Sequence, residues 1–247
     1  MEFYQRSAQL NPDNFEIYLK QGKCFEKLRE FDKATLMFQK SVDLNPRSPW
    51  AHFRLGWVSV RNGHKVKGIG HLRESLKLDS NNVDVLTKLG EVLMREPEGL
   101  EEAEEYLKKA VSIDHNQPDA LVALGKVYEK KNDLEKAIEC YERAIELPVQ
   151  NINAYFYLGI IYEKKKDYKK SMEYFKKCLR LDKEQFGACQ HFGACLHLAT
   201  LLANAGKAQK AAKYFKHALK LDPTNIPANF GLGKILHSTS ENVDAPI

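Results

Sequence analysis

Apolar residues recur along most of the chain at steps of three and four, the periodicity of an amphipathic α-helix. Short polar turns interrupt this pattern every 12–14 residues, and the pattern returns in register after about 34 residues. Residues 118–151 show one period, in which DALVALGKVYEKK and EKAIECYERAIEL are separated by the turn NDL. The pattern therefore predicts pairs of short helices, repeated from one end of the chain to the other.

Small and bulky residues mark the register of the repeat. A glycine recurs in the first helix of each pair, at Gly22, Gly56, Gly90, Gly125, Gly159, Gly193 and Gly233. A small residue recurs early in the second helix, at Ala34, Gly68, Ala103, Ala137, Ser171 and Ala211, and a bulky residue follows it, at Phe38, Leu72, Leu107, Tyr141, Phe175 and Phe215. Small side chains let two helices approach closely, and we expect the bulky residue to fill the space beside them.

The period and these residues resemble the tetratricopeptide repeat family. LVALGKVYEKKNDLEKAIECYERAIEL and YFYLGIIYEKKKDYKKSMEYFKKCLRL carry the family pattern L-G-x-x-Y, A-x-x-x-F/Y most clearly. The resemblance implies an all-α fold, a right-handed α-solenoid of antiparallel helix pairs. A coiled coil is excluded because its pattern would return after every seventh residue.

The register divides the chain into one predicted solenoid, residues 1–238, and a polar tail, residues 239–247. Full repeats are predicted at 15–48, 49–82, 83–117, 118–151, 152–185 and 186–225, with partial repeats at 1–14 and 226–238. Both ends fall inside a repeat, and the last segment is apolar. We therefore expect either a fragment of a longer protein or ends that pack on a neighbour.

Composition narrows the class of protein. The chain has 247 residues and a net charge of +5, a mild excess of positive charge. Nucleic-acid-binding proteins usually concentrate more positive charge than this on one face. It has no apolar run long enough for a transmembrane helix and no secretory signal at its start. Five irregularly spaced cysteines favour reduced thiols, so an intracellular location, cytoplasmic or nuclear, is expected.

No catalytic motif appears, so we predict neither enzymatic activity nor a cofactor or small-molecule substrate. The segment GACQHFGACLHLA, residues 187–199, holds two Cys and two His. On one helix only His191 and Cys195 share a face, so the four side chains cannot converge on a tetrahedral zinc ion, and no metal site is predicted. With Gly193 in register, the segment predicts an extended helix over 186–203, followed by a turn at Asn204–Lys207.

The resemblance implies that the first helices line a concave groove where a protein or peptide segment binds. Large apolar residues fall on that face in the second and fifth repeats, at Trp50, Phe53, Trp57, Phe156, Tyr157 and Ile160. Basic residues fall on it in the first three repeats, at Lys20, Arg54 and Lys88. Exposed aromatic patches often mark binding sites, although these side chains could also serve helix packing.

The sequence thus predicts a non-catalytic interaction scaffold that binds an extended or helical segment, as part of a larger assembly. Two alternatives stay open: a targeting arm of an enzyme whose catalytic domain lies outside this chain, and an RNA-binding helical repeat. The Lys and Asn clamp of chaperone-binding family members is absent, because none of the matching positions is Asn. We also expect the helix with Gly68 and Gly70 to be the softest of the array, since each interior Gly costs about 1 kcal/mol relative to Ala.

Overall fold

A computed structural model describes residues 2–149, 151–186 and 191–241. These residues form helices and turns without any strand, which confirms the predicted all-α fold class. The chain divides into two compact units, Met1–Lys131 and Asn132–Ile247.

Unit 1 contains a lone helix, α1, then three helix pairs and the helix α8. Their bounds are α1 Glu2–Leu10, α2 Phe15–Lys27, α3 Phe31–Leu44, α4 Pro49–Arg61, α5 Lys65–Leu78, α6 Val83–Leu93, α7 Leu100–Ile113 and α8 Pro118–Lys130. Consecutive helices pack against each other, and α4 also contacts α6.

Unit 2 begins with a single helix, continues with two helix pairs and ends with another single helix. Their bounds are α9 Leu134–Glu146, α10 Ile152–Lys164, α11 Tyr168–Phe186, α12 Phe192–Asn204, α13 Ala208–Leu221 and α14 Ile226–Glu241. Consecutive helices again pack against each other, and α12 also contacts α14.

Side chains at the helix ends explain why the helices start and stop where they do. Asn14, Ser48 and Asn82 each accept a hydrogen bond from the first turn of the following helix, satisfying a backbone donor that the helix itself leaves free. Several turns between paired helices contain a residue with positive φ, including Gly63 and Gly206. At these two positions glycine adopts the left-handed conformation without a steric penalty.

The glycine register allows the close packing inside each pair. A Cβ added to Gly22 would lie 2.5 Å from Phe38 Cε1, and one added to Gly159 would lie 2.6 Å from Phe175 Cε1. Phe38 and Phe175 are both fully buried. The aromatic ring therefore occupies the space that a side chain on the glycine would need.

The predicted extended helix over 186–203 is wrong. Helix α11 continues to Phe186 instead, so it has 19 residues, whereas α12 begins at Phe192 and has 13, like α10. His191 is the N-cap of α12: its Nδ1 accepts from the Ala194 N–H at 3.2 Å, and its own N–H donates to Asp182 Oδ2 at 2.7 Å. The extra residues of this repeat therefore precede its first helix. The predicted turn after Asn204 is present.

The assignment of Gly193 to the glycine register is wrong for the same reason. Ala199 holds that place in α12, seven residues after the helix starts, as Gly159 does in α10. Ala199 is fully buried. Gly193 lies in the first turn of α12, where an added Cβ would lie 3.0 Å from Phe156 Cζ.

Candidate partner-binding surfaces

In unit 1, helix α4 presents Trp50, Arg54 and Trp57 on one face. These residues are spaced four and three apart, so they lie one above another along the helix. Both tryptophans are partly exposed, and Arg54 keeps 25% of its side chain exposed. The face thus combines large apolar rings with a guanidinium group.

Cations from three helices lie over the tryptophan rings. Lys23 Nζ of α2 is 4.8 Å from the centroid of Trp50, and Arg54 Cζ is 4.5 Å from it. Lys88 Nζ of α6 is 5.0 Å from the centroid of Trp57. Such contacts stabilise an exposed pair by about 0.5–1 kcal/mol and fix the orientation of both groups. We call Lys20, Lys23, Trp50, Arg54, Trp57 and Lys88 the aromatic–basic surface.

Two glutamates partly neutralise this surface. Glu26 Oε2 lies 3.4 Å from Arg54 Nη1, and Glu91 Oε2 lies 2.9 Å from Lys88 Nζ. Burial lowers the pKa of Lys23, and the nearby charges of Arg54 and Lys20 lower it further. The positive charges are therefore close enough to disfavour one another, which is the condition under which an added anion is stabilised.

Two buried polar atoms, one in this surface and one beside it, lack partners within the described part of the chain. Arg54 Nε is buried and forms no hydrogen bond there, and neither does Thr87 Oγ1 in α6. A buried donor without a partner costs about 1–3 kcal/mol. These two unpartnered atoms therefore cost the folded chain free energy.

The predicted residues of unit 1 differ in how far the structure exposes them to solvent. Lys20 is exposed, whereas Phe53 is only 6% exposed and packs beside Trp50, with ring centroids 5.3 Å apart. The expectation that Phe53 forms part of an exposed patch is therefore wrong, because its ring is used in packing. Sequence reasoning did not select Lys23, although its place on the groove face of α2 was a usable signal.

In unit 2, Phe156, Tyr157 and Ile160 are half-buried in α10. The Phe156 ring lies 4.5 Å from the ring of His191 and 5.8 Å from that of Phe175, and Tyr157 stacks on Tyr141 at 5.4 Å. Phe156 and Ile160 also pack against the core of this unit. These contacts leave each side chain partly accessible, so their role in partner binding stays a prediction.

The Cys and His residues of the segment 187–199 have separate environments where they are described. Cys195 is 1% exposed, and His197 Nδ1 donates to Glu163 Oε2 at 2.9 Å. Burial lowers the pKa of His191, while the carboxylate of Asp182 opposes this shift. Cys189 lies outside the described residues. Across the described ranges, no three His, Cys, Asp or Glu side chains are grouped so that they could hold a metal ion.

None of the described helices has both the length and the apolar character that crossing a membrane requires.

Comparison with known families assigns the fold of helix pairs to a class. Residues 152–185 and 192–225 match the model of the tetratricopeptide repeat, and residues 130–166 match a second TPR repeat model. The chain therefore belongs to the tetratricopeptide repeat family. Residues 24–147, half of the chain, match the model described as the cilia and flagella-associated protein 70 middle TPR-like domain. The match that starts at residue 192 agrees with the start of α12.

Curated relatives include members of protein complexes. The chain is 27% identical over 133 residues to BBSome complex member BBS4 of Bos taurus, covering 54% of this chain and 25% of that protein. It is 25% identical over 122 residues to anaphase-promoting complex subunit 3 of Schizosaccharomyces pombe, covering 49% of this chain and 18% of that protein. The chain thus spans 25% of the length of the BBS4 relative and 18% of the length of the anaphase-promoting complex subunit.

Solved structures share the fold over most of the chain. The APC/C hetero-tetramer Cut9-Hcn1 superposes with a TM-score of 0.79 at 19% identity, covering 94% of this chain and 45% of that one. Pseudomonas aeruginosa pilF superposes with a TM-score of 0.74 at 20% identity, covering 89% of this chain and 97% of that one. YrrB, described as a TPR protein with an unusual peptide-binding site, gives a TM-score of 0.56 at 20% identity over 77% of this chain and 95% of its own.

Proposed function

We propose that this protein is a non-catalytic scaffold for protein–protein interaction, whose aromatic–basic surface binds an extended or helical segment of a partner. The observation that carries the proposal is the arrangement on α4: two partly exposed tryptophans, each with a cation over its ring, and Arg54 between them. Trp and Arg are enriched among the residues that dominate binding energy at interfaces.

The geometry suggests how a partner segment is recognised. Apolar side chains of the partner contact the accessible parts of Trp50 and Trp57, while its acidic groups pair with Lys20, Arg54 and Lys88. Because the cation–ring contacts already fix Arg54 and Lys88, less side-chain entropy is lost on binding. The exposed Lys20 at the edge of the surface contributes mainly by attracting an acidic segment.

The comparisons support a role in an assembly. Relatives include a BBSome complex member and a subunit of the anaphase-promoting complex, and YrrB carries a peptide-binding site in the same fold. We therefore propose that this chain also acts within a larger complex, with Phe156, Tyr157 and Ile160 as a predicted further contact in unit 2.

The proposal is tested by substituting Trp57→Ala and identifying captured proteins by quantitative mass spectrometry. We expect the affinity of the variant for its specific partners to fall by about 30-fold or more, since anchors of this kind contribute about 2 kcal/mol or more to binding. Val66→Ala is the control, because Val66 is 82% exposed on α5 and lies outside the surface.

Thermal melting of both variants separates binding from folding. If Trp57→Ala captures the same partners as the wild type, the surface does not bind them. If Trp57→Ala captures fewer partners and also melts at a lower temperature, a second variant, Lys20→Glu, separates binding from folding, because Lys20 is exposed and its replacement removes no packing. Capture of the same partners by Lys20→Glu would then count against the proposal.

A further inference from the structure

Unit 2 contains a groove between α11 and α13, with a volume of about 720 Å³. Its walls carry six Lys or Arg side chains, three from each helix: Lys176, Arg180, Lys183, Lys213, Lys216 and Lys220. Its floor is formed by Leu179, Cys195, Tyr214 and His217, of which Leu179 and Cys195 are almost fully buried. The groove therefore combines a basic rim with a largely apolar floor.

The positive charge of this groove is not balanced locally. Residues 176–220 contain nine Lys or Arg and two acidic residues, and among the described residues no acidic side chain lines the groove. Asp182 is buried and accepts a hydrogen bond from His191 N, and Glu184 lies 3.7 Å from Arg180. The five lysines of the rim form no ion pair with any residue in the described ranges.

Two corresponding helices of unit 1, α5 and α7, place opposite charges against each other. There Arg73 of α5 pairs with Glu102 of α7, with Nη2 and Oε2 2.8 Å apart, so a cation of one second helix faces a carboxylate of the next. In unit 2 the facing helices α11 and α13 both carry cations. Positive charges gathered in a concave surface raise the local concentration of anions, and their mutual repulsion is relieved when an anion binds.

The lengthened helix α11 contributes to this groove. It runs to Phe186, whereas its equivalents α3, α5 and α7 have 14 residues each. Lys183 lies on the added part. The inserted residues that displaced the predicted start of α12 thus add a cation to the rim.

We propose that this groove binds an acidic segment of a protein partner, with an apolar side chain of that segment resting on the floor. The volume is in the range that encloses a short segment or a small ligand. The rim supplies charge complementarity on both sides. The floor favours a peptide over a free phosphate compound because Leu179, Cys195 and the ring of Tyr214 offer apolar contact that a phosphate group cannot use, although Tyr214 and His217 also bring polar atoms to the lining. This site is separate from the aromatic–basic surface of unit 1 and does not depend on it.

The test uses the full chain and a fluorescein-labelled short peptide of glutamates with one central leucine. Fluorescence anisotropy measures its affinity for the wild type, for Lys176→Glu/Lys216→Glu and for Lys169→Glu/Lys210→Glu. The first pair lies in the groove, one residue on each helix; the second pair is a control with the same charge change on the same helices, outside the groove. All four lysines are exposed, so both variants should fold, which circular dichroism checks.

We expect the groove variant to weaken binding by about tenfold or more and the control by about twofold or less, because exposed charges separated by more than the Debye length of about 8–10 Å are screened. A peptide with serine in place of the leucine should also bind more weakly. Equal losses in both variants would show that the peptide responds only to overall charge and would overturn the proposal. Undetectable binding of the peptide would also overturn the proposal. If the serine peptide binds as tightly as the leucine peptide and inositol hexakisphosphate competes more tightly than either, the groove would be assigned to phosphate compounds instead.

Discussion

At the scale of single residues, two histidines show what tertiary contacts add to the sequence. His52 is 7% exposed in α4, and its Nδ1 lies 3.1 Å from Nδ1 of His71 in α5. Its Nε2 lies 3.1 Å from the carbonyl oxygen of Pro46, which can only accept, so Nε2 carries the proton. A neutral His52 therefore accepts at Nδ1 from His71, and protonating the pair further would place two N–H groups against each other.

This pair predicts that stability depends on pH. Burial lowers the pKa of His71, positive charge placed on the neighbouring His52 ring would lower it further, and Glu74, which accepts from Lys77, opposes the shift. A His whose pKa is lower in the folded state binds protons more readily when the chain is unfolded. The free energy of unfolding should therefore fall as the pH drops below about 6.5, the ordinary pKa of His.

Urea unfolding at neutral and mildly acidic pH measures this effect. In His71→Asn, whose amide nitrogen can take the place of Nδ1, the fall should be smaller than in the wild type. His64→Asn is the control, because His64 is exposed, and it should keep the wild-type dependence. Identical pH profiles for all three proteins would show that the pair does not titrate as described.

At the scale of the helix, α5 contains two glycines with opposite surroundings. A Cβ on Gly68 would lie 2.5 Å from Val60 Cγ2 and 2.7 Å from the carbonyl oxygen of Gly56, so the backbones of α4 and α5 meet there. A Cβ on Gly70 would meet nothing within 4 Å. The sequence presented both as helix-weakening residues, and only the packing distinguishes them.

Alanine substitutions should therefore act in opposite directions. Gly70→Ala should raise the free energy of unfolding by about 1 kcal/mol, because alanine favours the helix. Gly68→Ala should lower it, since an overpacked side chain typically costs about 1–3 kcal/mol and exceeds that gain. Chemical denaturation compares the two variants with the wild type. Stabilisation of the protein by Gly68→Ala would show that α4 and α5 can separate at little cost.

The junction of α11 and α12 shows where helix prediction from the repeat register failed. The sequence after Phe186 continues with small and apolar residues that suit a helix, so the predicted helix extended too far back. The start of α12 is instead fixed by a capping arrangement, in which the His191 ring accepts from Ala194 N and the His191 backbone N–H donates to buried Asp182. The partner that fixes the start of α12 lies nine residues earlier in the chain, which the local pattern does not reveal.

At the scale of the whole molecule, each helix makes its substantial contacts with helices one or two places away in the chain, within each unit. Stability in such an array is close to a sum of repeat and neighbour contributions. A substitution should therefore act on its own neighbourhood and leave distant repeats as they were.

Asp182→Ala tests this locality. Leaving the His191 N–H without its acceptor should cost about 1–3 kcal/mol, and hydrogen exchange should accelerate in α11 and α12 while α2 to α7 keep wild-type rates. Asp182→Asn, which still offers an acceptor oxygen, should show a smaller change. An equal acceleration in all helices would mean that the chain unfolds as one cooperative body.

The sequence by itself determined the class of fold, because the period near 34 and its small and bulky residues follow from how paired helices pack. It also indicated the face of α4 that bears Trp50, Arg54 and Trp57, since helical spacing alone puts them together. The tertiary structure decided that Phe53 is buried and that Ala199 replaces Gly193 in the register. It also placed the lysines of α11 and α13 around one groove. These outcomes depend on which side chains from separate helices come into contact, and a one-dimensional pattern carries no record of those distances.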